Sequence, residues 1–263
     1  LARMLFGSAP SRSVAAAPAA PTAGVAPRSV AVAASSSASR RGPDIAWTTY
    51  GGNLASQRYS PADQISKENF AQLEIAWRLK TDFLGPRPDP LYSATPLLVD
   101  RTLYPTAGTR RAAIALNAIT GEMLWMHTED EGKRGQNSPR NGAGRGVAYW
   151  ASADGAERRV IYVTPGYRML ALDAKTGKRA WRFYTIPGPG EPGFNAWQGD
   201  SWKIGGTGVW VTGAYDPEQN LLLYGTGNPG PDYHSDSRKG DNLYSCTLVA
   251  LDVSLNSPQS FGS

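Results

Sequence analysis

Residues 202–210 read Trp-Lys-Ile-Gly-Gly-Thr-Gly-Val-Trp, and residues 225–228 read Gly-Thr-Gly-Asn. Glycines bracketed by indoles suit the approach of a flat, conjugated molecule. Glycine lets backbone come close to a ligand, and an indole face is a stacking platform. Trp202 and Trp210 bracket the first run, Thr207 lies within it, and Asn228 closes the second. Arg145 stands in a second glycine-rich run, Gly144-Arg-Gly-Val-Ala148. Each residue alone also has an ordinary structural role. Trp210 suits a core, Asn228 a turn, and Arg145 a solvated strand end. Asp232, Asp236 and Asp241 are read as solvated loop acids.

The elements that must position these residues are set by a repeat. Residues 115–125 read ALNAITGEMLW and residues 171–181 read ALDAKTGKRAW, matching at seven of eleven positions when Asn and Asp are counted together. A third copy starts at Val249–Asp252 and then loses the pattern. Asn117 or Asp173 is expected to accept backbone hydrogen bonds in a turn, and Gly121 or Gly177 to supply a positive φ. Leu116 and Leu172 are expected in strands whose alternate residues face inward. The Trp opens the return strand and lays its ring over the neighbouring unit. One unit cannot cover its own Trp, so units must stack side by side. The copies start 56 and then 79 residues apart, a blade-sized step.

Short β-rich bursts between turns fill the intervening chain: ATPLLVD, TLYPTAG, AAIALNA, RVIYVTPG, RMLALDA, LLLYGTGN and CTLVALD. No amphipathic pattern of helical length separates them, so the fold class is all-β, with four-stranded antiparallel blades arranged radially. A short helix is expected from about Lys67 to Leu73, with Ser66 as its cap and Asn69 where a Glu would complete a capping box. Cys246 is expected as a small, half-buried strand residue, and a lone cysteine excludes an intrachain disulfide.

Charge removes one function class. The chain carries 27 basic and 22 acidic residues, but five arginines and no acid lie within residues 1–43. The remainder is formally neutral, which leaves no basic face for nucleic acid. No run of 18 apolar residues predicts a transmembrane helix. Residues 1–43, rich in Ala, Ser, Pro and Arg, are expected to be disordered. They resemble either an organellar transit peptide or the end of an export signal.

The repeat resembles the docking motif of the pyrroloquinoline quinone (PQQ)-dependent dehydrogenases, and the resemblance covers about residues 44–252. Segments RYSPADQI, NFAQLEIAW, ATPLLVD, GRGVAYW, RFYTIPGPGE and GTGNPGPDY…GDNLY are similar to alcohol and membrane-type glucose dehydrogenases of that family. The resemblance implies a partial β-propeller, roughly half of eight blades, followed by a divergent tail at 253–263. It implies PQQ with Ca²⁺ or a lanthanide as cofactors. The substrate would be a small alcohol or sugar, and the location periplasmic or secreted. Trp210 would be the floor beneath the quinone and Asn228 a metal ligand, while Arg145 would contact the acidic quinone. The family places a Thr two residues before its floor Trp; here Gly208 holds that place and Thr207 stands beside it.

The chain also departs from the pattern. Ser138-Pro139-Arg140 stands where many alcohol-oxidising members carry vicinal cysteines, and Ser93 replaces a Glu. Lys178 runs directly into RAWRFYTIPGPGE, as though two repeats were fused with the blade between them lost. Neither the family's metal-ligand Glu nor its catalytic Asp has a counterpart, so the catalytic base and electron acceptor are unassigned. A non-catalytic propeller scaffold and a decayed fragment are the alternative readings.

Overall fold

The structure, a computed structural model, describes residues 45–87, 89, 91–138, 141–204, 206–209 and 213–254. The expectations for residues 1–43, for the tail beyond Ser254 and for Trp210 fall outside the described residues.

Three antiparallel sheets follow one another along the chain. The first holds β1 (Leu97–Val99), β2 (Thr102–Tyr104), β3 (Thr106–Ala107), β4 (Ala112–Asn117) and β5 (Met123–His127). β2 and β3 both pair with β4 and are one strand interrupted at Pro105. Proline cannot donate to the ladder, but its carbonyl still accepts from Ile114 N–H at 3.0 Å. The sheet is therefore a four-stranded unit in effect. The second sheet is an uninterrupted meander of β6 (Ala148–Ala151), β7 (Arg158–Val163), β8 (Arg168–Asp173) and β9 (Arg179–Tyr184). The third pairs β10 (Ala214–Asp216), β11 (Leu221–Gly225) and β12 (Leu248–Asp252). The all-β, bladed architecture expected from the repeat is the one observed.

The burial pattern differs from the expected alternation. Ala112–Leu116 are all buried, and so are Met169–Leu172. The period of two remains, but it divides the strands of the second sheet between two neighbouring sheets instead of between core and water, while Ile114 and Leu116 of β4 pack with Trp77, Leu79 and Leu84. In the second sheet, Val160, Tyr162, Leu170 and Leu172 pack toward residues of the first, including Ala113 and Ala115. Ile161, Met169 and Ala171 pack toward Tyr224, Val249 and Leu251 of the third. The alanines that open each repeat are small because they lie between sheets.

Both repeat turns have the predicted chemistry. Asn117 Oδ1 accepts from Ile119 and Thr120 N–H at 2.9 and 3.2 Å, and Asp173 Oδ1 accepts from Thr176 N–H at 2.8 Å. Gly121 and Gly177 have φ of 75° and 70°. These glycines have a second role. A Cβ on Gly177 would lie 2.7 Å from the Trp125 ring, and one on Gly121 would lie 2.5 Å from the Trp77 ring. Each indole N–H donates to the same turn, Trp77 to Ala118 O at 3.1 Å and Trp125 to Ala174 O at 2.9 Å. Trp181 continues the series to Val253 O at 3.0 Å. Each Trp is thus seated on the turn of the sheet that follows.

Two local expectations need correction. The helix at 67–73 is a single 3₁₀ turn, Phe70–Gln72. Its capping contacts form, with Ser66 N–H donating to Asn69 Oδ1 and Glu68 N–H to Ser66 Oγ. None of its residues is buried, so no packed face extends it. Cys246 is exposed, in a turn, at φ 49°, a conformation a strand does not use.

Gly155 offers a control for the seat, since its φ is 69° but nothing lies within 4 Å of where a Cβ would stand. Gly155→Ala should cost about 1 kcal/mol from backbone strain alone. Gly177→Ala should cost ~3 kcal/mol because the Trp125 ring must also move. Urea midpoints of the two variants check this, and equal losses would count against the seat.

Candidate functional site

The run ending in Thr207 and the run ending in Asn228 are brought together by backbone. Thr207 N–H donates to Asn228 O at 2.6 Å, and Gly227 N–H donates to Gly208 O at 2.9 Å. Gly206 and Pro229 form an isolated antiparallel bridge. Gly206 has φ 105°, and a Cβ there would overlap the Pro229–Gly230 backbone, so the two segments can meet only at glycine.

Thr207 is fully buried, at φ 43°, and its Oγ1 has no hydrogen-bond partner among the described residues. An orphaned buried hydroxyl is costly and marks a place where a ligand atom can bind. Asn228 is half-buried, and its side-chain N–H donates to Asp232 Oδ1 at 2.7 Å. Its Oδ1 accepts no hydrogen bond among the described residues and is available as an oxygen ligand. Trp210, which would supply the stacking face, is outside those residues.

Arg145 lies on the loop that leads into β6 and is not joined to Thr207 or Asn228 by any hydrogen bond among the described residues. Four successive carbonyls of that loop each accept a bond. Gly142 O takes Arg111 Nε–H at 3.0 Å, Ala143 O takes Thr106 Oγ1 at 2.6 Å, Gly144 O takes Ser93 Oγ at 3.1 Å, and Arg145 O takes Thr95 N–H at 3.4 Å. The backbone is fixed while the exposed guanidinium makes no hydrogen bond or ion pair among the described residues. Ser93, a departure from the family pattern, is one of the pins.

A charged cluster between the first and second sheets was missed by sequence reasoning. Glu129 accepts from Arg168 Nη1 at 3.0 Å and Arg179 Nη1 at 3.1 Å, and lies 3.1 Å from His127 Nε2. The His127 bond, with both arginines, lowers its pKa to about 2. Glu131 accepts from Thr164 Oγ1 and from Gly166 N–H at 2.7 Å, and burial raises its pKa. The alternation His127-x-Glu129-x-Glu131 was the available signal, since period-two charges at a strand end share one side.

The sequence profile described as "PQQ: Glucose/ethanol/alcohol dehydrogenase, beta-propeller domain" matches residues 47–183 and 173–255. The chain belongs to this family. The two matches overlap at 173–183, the second copy of the repeat. A quinohemoprotein alcohol dehydrogenase of Pseudomonas putida, ADH IIB, is 33% identical over 266 residues, covering 78% of this chain and 37% of the relative. Another from the same organism, ADH-IIG, is 31% identical over 268 residues, covering 79% and 36%. The solved quinohemoprotein alcohol dehydrogenase of Comamonas testosteroni aligns at 25% identity and a TM-score of 0.44, over 82% of this chain and 40% of that one. The chain spans a little over a third of the length of the curated relatives it matches. Among the described residues, no helix is long and apolar enough to cross a membrane.

The two acids of the charged cluster respond to pH in opposite senses. Glu129, ionised more readily in the fold, stabilises it above its ordinary pKa of 4.5, and that contribution is lost as pH falls toward about 2. Glu131, with a raised pKa, favours the fold when protonated and loses that contribution as pH rises through the folded value. Glu129→Gln should cost about 2 kcal/mol at neutral pH, because it removes the carboxylate shared by Arg168 and Arg179 and leaves Arg168 only the longer approach of Glu131 at 3.8 Å. The loss should shrink between pH 4.5 and 2. Parallel stability–pH curves for the two proteins would contradict this assignment.

Proposed function

We propose that this chain supplies a PQQ-binding face of an oxidoreductase that oxidises the hydroxyl group of a small alcohol or sugar. The supporting observation is the buried, unpartnered Thr207 hydroxyl, on a glycine-built backbone bridged to Asn228, inside the segment that matches the family. Thr207 Oγ1 would donate to an oxygen of the quinone. Arg145, without a partner among the described residues, would meet one of its carboxylates, and Trp210 would lie under the ring. The bound quinone supplies a two-electron acceptor that no side chain can provide.

The metal fits less well. Asn228 Oδ1 and the adjacent Asp232 carboxylate are suitable donors for Ca²⁺ or a lanthanide. A hard cation takes about six or more oxygens. The described residues contain no group of three or more His, Cys, Asp or Glu able to hold a metal ion. No step is derived through the ion, and no residue of this chain is assigned as the base. A periplasmic or secreted location belongs to the same proposal and rests on the family.

Titration of the chain with PQQ in the presence of Ca²⁺, followed by quinone absorbance, tests the reading. Thr207→Val and Arg145→Ala should each weaken binding by about tenfold, the scale of one hydrogen bond to a charged group. Trp210→Ala should remove the absorbance shift. A folded, monodisperse chain that does not bind would favour a non-catalytic scaffold, and an aggregating one a decayed fragment.

A further inference from the structure

Between the first and second sheets the chain forms one short helix, α1 (Gly132–Gln136), which contains Arg134. The guanidinium reaches into the segment that follows the second sheet. Nη1 donates to Ile186 O at 3.0 Å and Nη2 to Trp202 O at 3.2 Å, two carbonyls sixteen residues apart. The guanidinium carbon also stands 5.0 Å from the Trp202 ring centroid, and Phe194 meets that ring edge-on at 5.8 Å. A planar fork can hold two carbonyls and stack on an indole together; an ammonium cannot.

The tie matters because of what the loop lacks. From Gly199 to Ile204, the only hydrogen bond that leaves residues 198–204, among the described residues, is the one from Arg134 to Trp202 O. Trp202 packs against Tyr167, Ile186 and Trp197, but the rest of the loop borders an open depression of about 570 Å³ lined by Asn137, Gln198, Asp200, Lys203, Ile204 and Ser237. Thr207 lies five residues beyond Trp202. The other end of α1 is itself held, through Glu131, by Thr164 and Gly166 of the β7–β8 hairpin. A Cβ on Gly166 would fall 2.5 Å from the Glu131 carboxylate, so that contact requires glycine.

We propose that Arg134 is a positioning residue: by tying Trp202 O to α1 it fixes the near end of the segment whose far end, Thr207, is bridged to Asn228, and so steadies the Thr207 hydroxyl. The role toward PQQ rests on the function proposed above, and the tie itself does not. The test uses the 263-residue chain, wild type, Arg134→Ala and Arg134→Lys, with two readouts. PQQ affinity in Ca²⁺ should fall about tenfold in both variants, the scale of one charge-assisted bond. The thermal midpoint should stay within about 3 °C. Millimolar ethylguanidinium should restore the affinity of Arg134→Ala, and ethylammonium should not. Tryptic cleavage after Lys203 should be faster in both variants without any cofactor.

Unchanged affinity in folded variants would overturn the positioning role. So would an affinity loss that accompanies unfolding and resists ethylguanidinium. Equal cleavage rates would overturn the tie. A wild-type chain that fails to bind PQQ would remove the proposed function and the role toward the quinone, while the cleavage comparison still decides the tie.

Discussion

The fold depends on one contact, an indole seated on the turn of the next sheet. The ring lies against a glycine Cα, and its N–H is taken by a turn carbonyl. The contact explains three sequence features at once. The glycine is needed for its φ and for its missing Cβ. The Asx residue holds the turn rigid enough to receive a ring. The alanines ahead of it lie between sheets and must be small. Because the strand interiors of the second sheet are shared with the sheets on either side, its stability is a property of the stack.

Much of this was legible in the sequence. Repeats with turn residues at fixed offsets specify both local geometry and the need for a neighbour, so the strands from ATPLLVD to CTLVALD fell where the patterning placed them. The misses have physical causes. Trp77 makes the same contact as Trp125, but no Thr-Gly turn precedes it, so the repeat did not reveal it. The 67–73 segment has a competent cap and nothing to pack against, and capping alone does not sustain a helix. Cys246 lies just outside its strand by a residue pair, and its left-handed backbone cannot be read from side-chain type.

The candidate site was legible in part, for a related reason. Glycine-rich runs announce a close approach, and Gly206 indeed meets Pro229–Gly230. They do not say what is approached. Thr207 and Asn228 proved to be backbone neighbours, whereas Arg145 stands on the loop before β6. Arg134, proposed to steady Thr207, acts through the backbone carbonyls of Ile186 and Trp202. Any sequence supplies those groups, so such partners leave no compositional trace.

The loop before β6 has a further consequence. With the carbonyls of residues 142–145 all engaged, the main chain there asks nothing of the side chain at position 145. That position behaves as an interchangeable tip on a rigid mount. Exchange of the side chain at that position, by selection or by engineering, should therefore come at little expense to folding.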